Sequence, residues 1–296
     1  MKAITCKGVT KRFEEKKGES KTALDQVNLS LEEGGIYALL GRNGAGKTTL
    51  LNCLCTKYLP DEGEIFLFEE PAYENEKMLE RICFMPDYLE AFSLYSVKRI
   101  LYYAKLFYPK WDDALMERLL ETYEIRMSDT YAALSKGRRT ALSMCIGFCS
   151  GCDIVLFDEI YSGLDVVARQ QFYEILLEEQ EKKPRTFVLS THLIEEMTGV
   201  FTDIIILDSG KVVVSDTAER VREKAFCFHG RAGQENLFVA KNLLAVNGME
   251  TMAEYIVYDD LSQEEKKAYK EHGFEIRPCS LQDLVIAMSK GGKAHG

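Results

Sequence analysis

The stretch Ile36-Tyr37-Ala38-Leu39-Leu40-Gly41-Arg42-Asn43-Gly44-Ala45-Gly46-Lys47-Thr48-Thr49 decides how the rest of the chain is read. An apolar run, a glycine-rich turn and the following Leu50-Leu51-Asn52-Cys53-Leu54 predict a buried strand, a loop and a helix. The loop fits G-x-x-x-x-G-K-[ST], a phosphate-binding pattern whose required context is that strand and helix. Glycines let the backbone wrap closely around an anion, and successive N–H groups form a positive concavity at the helix N-terminus. Lys47 is expected to reach the β- and γ-phosphates, and the Thr48 hydroxyl to ligate Mg²⁺. The chain is thus expected to bind a nucleoside triphosphate.

With 296 residues and 46% hydrophobic content, the chain can bury a full core and has room for one large and one small domain. No apolar run reaches the ~18–20 residues that a membrane helix needs. The opening MKAITCKGVTKRFEE lacks the apolar core of a signal peptide. These features predict a cytoplasmic chain, in which nine cysteines stay reduced rather than bridged. A formal net charge of −10 argues against broad nucleic-acid binding, leaving room only for a local basic groove.

Residues 4–40 read as β-rich, with Val27-Asn28-Leu29-Ser30-Leu31 alternating cleanly as a half-buried strand does. Phe13, just before the polar loop 14–21, is a candidate for stacking on a base, although the local pattern alone favours a core aromatic. Leu59-Pro60-Asp61-Glu62-Gly63 is turn chemistry leading into the strand Glu64–Phe68. From about Ala91 to Cys152 the pattern turns helical, with Leu115, Leu119 and Tyr123 forming one apolar stripe. Strands and helices then alternate to about residue 218, which implies a mainly parallel sheet. Beyond it the motifs stop and a small α+β appendage is expected. In that appendage residues 236–246 read as a helix, 255–258 as a strand, 261–272 as a charged helix and 274–276 as a strand, before a short helix capped by Ser280 and Asp283.

Downstream residues narrow the chemistry. Asp153-Ile154-Val155-Leu156-Phe157-Asp158-Glu159 is a buried strand ending in two carboxylates. Adjacent acids at such a place are costly unless a cation uses them. Asp158 is placed to hold Mg²⁺ directly or through water, and Glu159 to orient or deprotonate an attacking water. Taken in order, the phosphate loop, Leu134-Ser135-Lys136-Gly137-Arg138, Asp158-Glu159, Ser162-Gly163-Leu164-Asp165 and His192 resemble the nucleotide-binding subunit of ABC transporters over residues 1–218.

The resemblance implies an α/β fold of the P-loop NTPase, ABC-type ATPase kind, with a mixed sheet core, an antiparallel β part and an inserted helical subdomain at about 91–152. Residues 219–296 would be an accessory region. It further implies a head-to-tail dimer, either a homodimer or a heterodimer with a paralogous ATPase subunit. Each ATP would lie between Gly41, Arg42, Asn43, Gly44, Ala45, Gly46, Lys47, Thr48 and Thr49 of one subunit and Ser135 and Gly137 of the other. Glu159 would be the general base, His192 would hold the γ-phosphate and attacking water, Asp165 would relay the state of one site to the other, and Phe13 would stack on adenine. An integral-membrane permease would be the partner, placing the chain peripherally on the inner face of the cell membrane.

Two departures stand out. The family signature is usually Leu-Ser-Gly-Gly-Gln, whereas here Lys136 and Arg138 (with Arg139) add cations expected to strengthen γ-phosphate binding. The variant resembles the Ser-Lys-Gly form of a subset of bacterial exporter-type subunits, and Phe107-Tyr108-Pro109-Lys110-Trp111-Asp112 points the same way. Asp87 stands where the family usually has glutamine; it can offer Mg²⁺ an oxygen but donates no N–H. Cys145, Cys149 and Cys152 have metal-like spacing but read as packing cysteines, and Glu264-Glu265-Lys266-Lys267 as a solvated helix face. The alternatives are a DNA-repair or translation ATPase of the same type, or a module that senses ATP without turnover. A GTPase is disfavoured because no Asn-Lys-x-Asp motif is found.

Overall fold

The structure is a computed structural model, and it describes residues 1–14, 20–161, 163–191, 199–238, 241–248 and 251–291. The chain opens with β1 (Lys2–Glu14), β2 (Ser20–Glu32), β3 (Ile36–Leu40) and helix α1 (Lys47–Leu54). Next come β4 (Glu62–Leu67), the short β5 (Glu70–Pro71), α2 (Glu76–Leu79) and β6 (Ile82–Pro86). A helical stretch follows, with α3 (Val97–Phe107), α4 (Asp113–Thr122) and α5 (Lys136–Cys149). Then the chain makes β7 (Ile154–Asp158), α6 (Val166–Lys182), β8 (Thr186–Ser190), β9 (Asp203–Asp208), β10 (Lys211–Thr217) and α7 (Ala218–Lys224). The C-terminal part holds β11 (Ala225–Arg231), β12 (Leu243–Gly248), β13 (Met252–Tyr258), α8 (Gln263–Glu271), β14 (Glu275–Pro278) and α9 (Leu281–Gly291).

Three sheets organise these elements. The central one runs β10-β9-β3-β8-β7-β6; its pairs are parallel except for the hairpin between β9 and β10. Every residue of β3, β7 and β8 is buried, which is why these segments read as continuous apolar runs rather than alternating ones. An antiparallel sheet, β2-β1-β4-β5, carries the alternation seen at Val27–Leu31. The third, β12-β13-β11-β14, is also antiparallel.

The helical stretch packs on the central sheet through aromatic rings. Phe148 of α5, Phe157 of β7, Phe172 of α6 and Phe187 of β8 lie with ring centroids 5.3–6.3 Å apart, and Tyr161 meets Phe172 edge-on at 5.0 Å. Leu115, Leu119 and Tyr123 are all buried, so the expected apolar stripe is the packed face of α4. Helix starts are set by side-chain oxygens: Ser96, Asp112, Ser135, Asp165, Thr217 and Ser262 each accept the backbone N–H three residues on. No helix among the described residues is long and apolar enough to cross a membrane.

The C-terminal part corrects one expectation. The described residues of 236–246 form no α-helix; a 3-10 turn at Glu235–Phe238 and the strand β12 stand there instead. Leu243 pairs with Val257 and Val246 with Tyr255 across β13. Phe238 stacks on Tyr269 (centroids 5.0 Å) and Tyr255 (5.1 Å) inside a cluster that includes Phe228 and Phe274. Tertiary pairing and ring packing outweigh the local helical pattern. The strands expected at 255–258 and 274–276, and the Ser280–Asp283 cap of α9, are present; the Ser280 hydroxyl donates to the Asp283 carboxylate at 2.7 Å and accepts its N–H at 3.0 Å. The Glu264–Lys267 face is less free than expected: Lys266 sits 4.4 Å from the centre of the Phe226 ring, and Glu265 caps α8 while pairing with Lys241 at 2.7 Å.

Removing the fully buried Phe172 ring should destabilise the chain by about 3–5 kcal/mol, because four surrounding aromatic residues would face a cavity. Urea unfolding of Phe172→Ala checks this through a lower midpoint at unchanged slope.

Candidate functional site

The loop between β3 and α1 has the shape its glycines require. Gly46 caps α1 in the left-handed region at φ 109°, and a Cβ there would stand 2.6 Å from the Ala23 carbonyl oxygen. A Cβ at Gly41 would stand 2.4 Å from the Leu207 carbonyl oxygen, so neither position admits a side chain. The Ala45 N–H donates to the Arg42 carbonyl at 3.0 Å, and the Gly210 N–H to Ala45 O at 2.9 Å, which ties the loop to the β9–β10 turn.

Lys47 turns back under this loop. Its side chain is 5% exposed, and its ammonium donates to the Gly41 carbonyl at 2.7 Å and lies 3.3 Å from Glu159 Oε1. A buried ammonium is costly unless its donors are met, and here the loop's own backbone and the carboxylate after β7 meet them. Thr48 is exposed on the first turn of α1.

Parallel pairing brings the acids together. Pro86 lies opposite Asp158, so Asp87 follows the end of β6 beside Glu159. Asp158 is buried, and Ser190, at the end of β8, donates its hydroxyl to Asp158 Oδ1. Glu159 adopts φ 53°, a conformation that strains a residue with a side chain by about 1–3 kcal/mol. Its N–H is held by Ser190 through both the hydroxyl (3.1 Å) and the carbonyl (3.2 Å), which fixes the unusual turn. Burial pushes the Asp87 carboxyl up, Asp158 and Glu159 add to the rise, and Lys136 opposes it. Asp87, Asp158 and the Thr48 hydroxyl are hard oxygen donors of the kind that Mg²⁺ takes together with substrate phosphates. Among the described residues no group of three His, Cys, Asp or Glu side chains could hold a metal by itself.

Phe13 is 36% exposed and packs edge-on against Tyr58 at 5.5 Å. With Asn43, Gly44, Gly46, Lys47, Thr48, Thr49 and Glu159 it lines a cavity of about 560 Å³, so the loop, the acid and the aromatic share one site. Lys21, opposite Phe13 in the β1–β2 register, lines it too and was not signalled by any sequence pattern. Ser190 was also missed; its only signal is a hydroxyl residue ending a buried strand whose middle is apolar.

Ser135, Gly137 and Asp165 come together elsewhere. They line a separate cavity of about 520 Å³ that shares no lining residue with the first. Gly137 fits against the loop before α6, where a Cβ would stand 3.0 Å from the Gly163 carbonyl oxygen. The extra cations are less available to a phosphate than expected. Arg138 pairs with Glu124 at 2.6 Å, and Arg139 donates to the Tyr131 carbonyl at 3.1 Å and to that of Ala132, over the rings of Tyr88 and Tyr131. His192 and Ser162 lie outside the described residues. Cys145, Cys149 and Cys152 are buried, and burial pushes the Cys152 thiol up to about 11, which favours the protonated, non-ligating form.

Residues 24–162 match the model of the ABC transporter family. Over 218 residues the chain is 31% identical to the ABC transporter ATP-binding protein MJ1023 of Methanocaldococcus jannaschii, covering 71% of this chain and 76% of that one. It is 26% identical over 280 residues to the ABC transporter ATP-binding protein YtrB of Bacillus subtilis, covering 93% and 95%. Among solved structures, an ATP-binding subunit of an ABC transporter superposes with a TM-score of 0.65 at 23% identity, covering 74% of this chain and 92% of that one. The dimeric post-hydrolysis state of the ATP-binding cassette MJ0796, bound to ADP and Pi, superposes with a TM-score of 0.62 at 21% identity, covering 73% and 98%.

Ser190→Ala removes one of the two bonds to the Glu159 N–H and the donor to Asp158. It should lower ATP turnover by about 10-fold or more, with a smaller effect on nucleotide affinity. Phosphate release and calorimetry on the same variant separate the two effects.

Proposed function

This chain belongs to the ABC transporter family as one of its ATP-binding proteins, and from that premise we propose that it hydrolyses ATP to energise a separately encoded membrane permease. The observation that carries this reading is the split of its nucleotide residues into two cavities. Phe13, the phosphate loop and Glu159 line one, while Ser135, Gly137 and Asp165 line the other. A triphosphate in the first cavity meets no signature residue of its own chain, so a second subunit must supply Ser135 and Gly137. The dimer of the MJ0796 cassette is a precedent for such pairing.

In this reading Lys47 exchanges Glu159 for the β- and γ-phosphates, and backbone N–H groups at the start of α1 cradle them. Glu159, once released, accepts a proton from the attacking water. Thr48 and Asp158, with Asp87, would hold Mg²⁺, which supplies charge neutralisation on the phosphate oxygens. His192 orients the γ-phosphate and the water, Asp165 relays the state of the paired site, and Phe13 stacks on the base. Residues 1–218 carry the ATPase and 219–296 an accessory region. Attachment through the permease places the chain on the cytoplasmic face of the membrane. The Ser135-Lys136-Gly137 signature and the Phe107–Asp112 stretch favour export.

Glu159→Gln should cut phosphate release by about 10²–10⁴-fold while keeping ATP affinity, and should trap a dimer in ATP during gel filtration. Turnover at the wild-type rate would remove Glu159 as the base. Lys47→Ala should weaken ATP binding by more than ~10-fold, since it deletes a charge-assisted hydrogen bond to phosphate. Equal affinity in calorimetry would contradict the role given to the loop.

A further inference from the structure

We propose that the chain has a second anion site, which takes a phosphate-bearing small molecule, in the cavity between α4 and the C-terminal end of α6. The site is independent of the ATPase reading. It lies at the opposite end of the sheet from the phosphate loop: Arg185 precedes β8 and Gly151 precedes β7, whereas Asp158 and Ser190 end those strands. About 13 Å of strand separates the two ends, at ~3.3 Å per residue.

The cavity measures about 460 Å³, far more than a water needs and within the range of small-ligand pockets. In a chain of net charge −10, its wall holds five cations, Lys110, Arg118, Lys182, Lys183 and Arg185, against two carboxylates, Asp112 and Glu179. Asp112 is occupied as the cap of α4, accepting the Leu115 N–H at 2.8 Å. Glu179 is shared by Lys182 at 3.1 Å, Arg118 at 3.7 Å and Arg185 at 3.7 Å. Outside the lining, Glu178 pairs with Arg118 and Lys182, and Asp153 with Lys110; the five cations still outnumber these four acids.

Arg185 is the centre of the argument. Its side chain is only 4% exposed, yet it makes one side-chain hydrogen bond among the described residues, from Nη1 to the Phe148 carbonyl at 2.9 Å. A guanidinium carries five N–H donors, and its nearest carboxylate stands beyond hydrogen-bond distance. A buried fork of unused donors, facing a cavity ringed by flexible lysines, matches the several oxygens of a phosphate group. Lys183, exposed in the cavity wall, makes no ion pair among the described residues, although its charge helps hold the Asp153 carboxyl down.

Calorimetry with inorganic pyrophosphate tests this. The expected result is binding at or below ~1 mM that persists in Lys47→Ala and weakens at least ~10-fold in the surface double variant Lys110→Gln/Lys183→Gln, while ATP turnover of the double variant is unchanged. Both lysines are exposed, so that variant should fold even where Arg185→Met does not. Higher salt should weaken the interaction. Three outcomes overturn the proposal: no binding to the wild-type chain, binding lost in Lys47→Ala, or binding indifferent to the double variant. Flotation with phosphatidylglycerol vesicles in the absence of pyrophosphate binding would instead assign the cations to a lipid headgroup, and would refute the small-molecule site.

Discussion

A lysine buried beneath its own loop is the constraint on which the rest of the site depends. Lys47 needs partners for a desolvated ammonium, and it takes the Gly41 carbonyl from the loop and the Glu159 carboxylate from the end of β7. Meeting both requires β3 and β7 to end at the same level of one sheet, with β8 between them. It also requires glycine at 41 and 46, because backbone oxygens from two neighbouring elements stand where side chains would go. In the proposed reaction an incoming triphosphate takes the place of Glu159 on the ammonium, which frees the acid for chemistry. In that reading, the contact that satisfies the Lys47 ammonium also holds the proposed base.

Ser190 extends this arrangement sideways. By holding both the Asp158 carboxylate and the Glu159 N–H, it turns the end of β8 into the support for a strained residue at φ 53°. Glutamate reaches that conformation only where neighbours impose it, and the imposed turn is what points one acid at Lys47 while its neighbour remains on the strand. The far end of the same strand begins beside Arg185, whose bond to the Phe148 carbonyl fastens the end of α5 to the sheet. The helix that opens with Ser135 is thus anchored to the strand that ends beside Asp158 and Glu159.

The main features of the site were legible in the sequence because they depend on local chemistry. A glycine-rich turn after an apolar run and a pair of acids ending a buried strand are both short-range patterns. Misreadings arose where partners outside the local segment decide the outcome. Residues 236–246 carry an apolar spacing that suits a helix, and only pairing with β13 and stacking of Phe238 on Tyr255 and Tyr269 make β12. Arg138 and Arg139 look like phosphate ligands until Glu124 and the carbonyls of Tyr131 and Ala132 are seen to engage them. Lys21 enters the nucleotide cavity only because the β1–β2 register sets it opposite Phe13.

By itself, then, the sequence determined the phosphate loop, the order of strands and helices through residue 218, and the identity of the acids. Each of these rests on backbone preference or burial within a few residues. Tertiary structure alone decided that Lys47 meets Glu159, that Ser190 braces the acids, and that Ser135, Gly137 and Asp165 form a cavity apart from the loop. Those outcomes follow from how strands far apart in the chain align side by side, and no local pattern encodes that alignment.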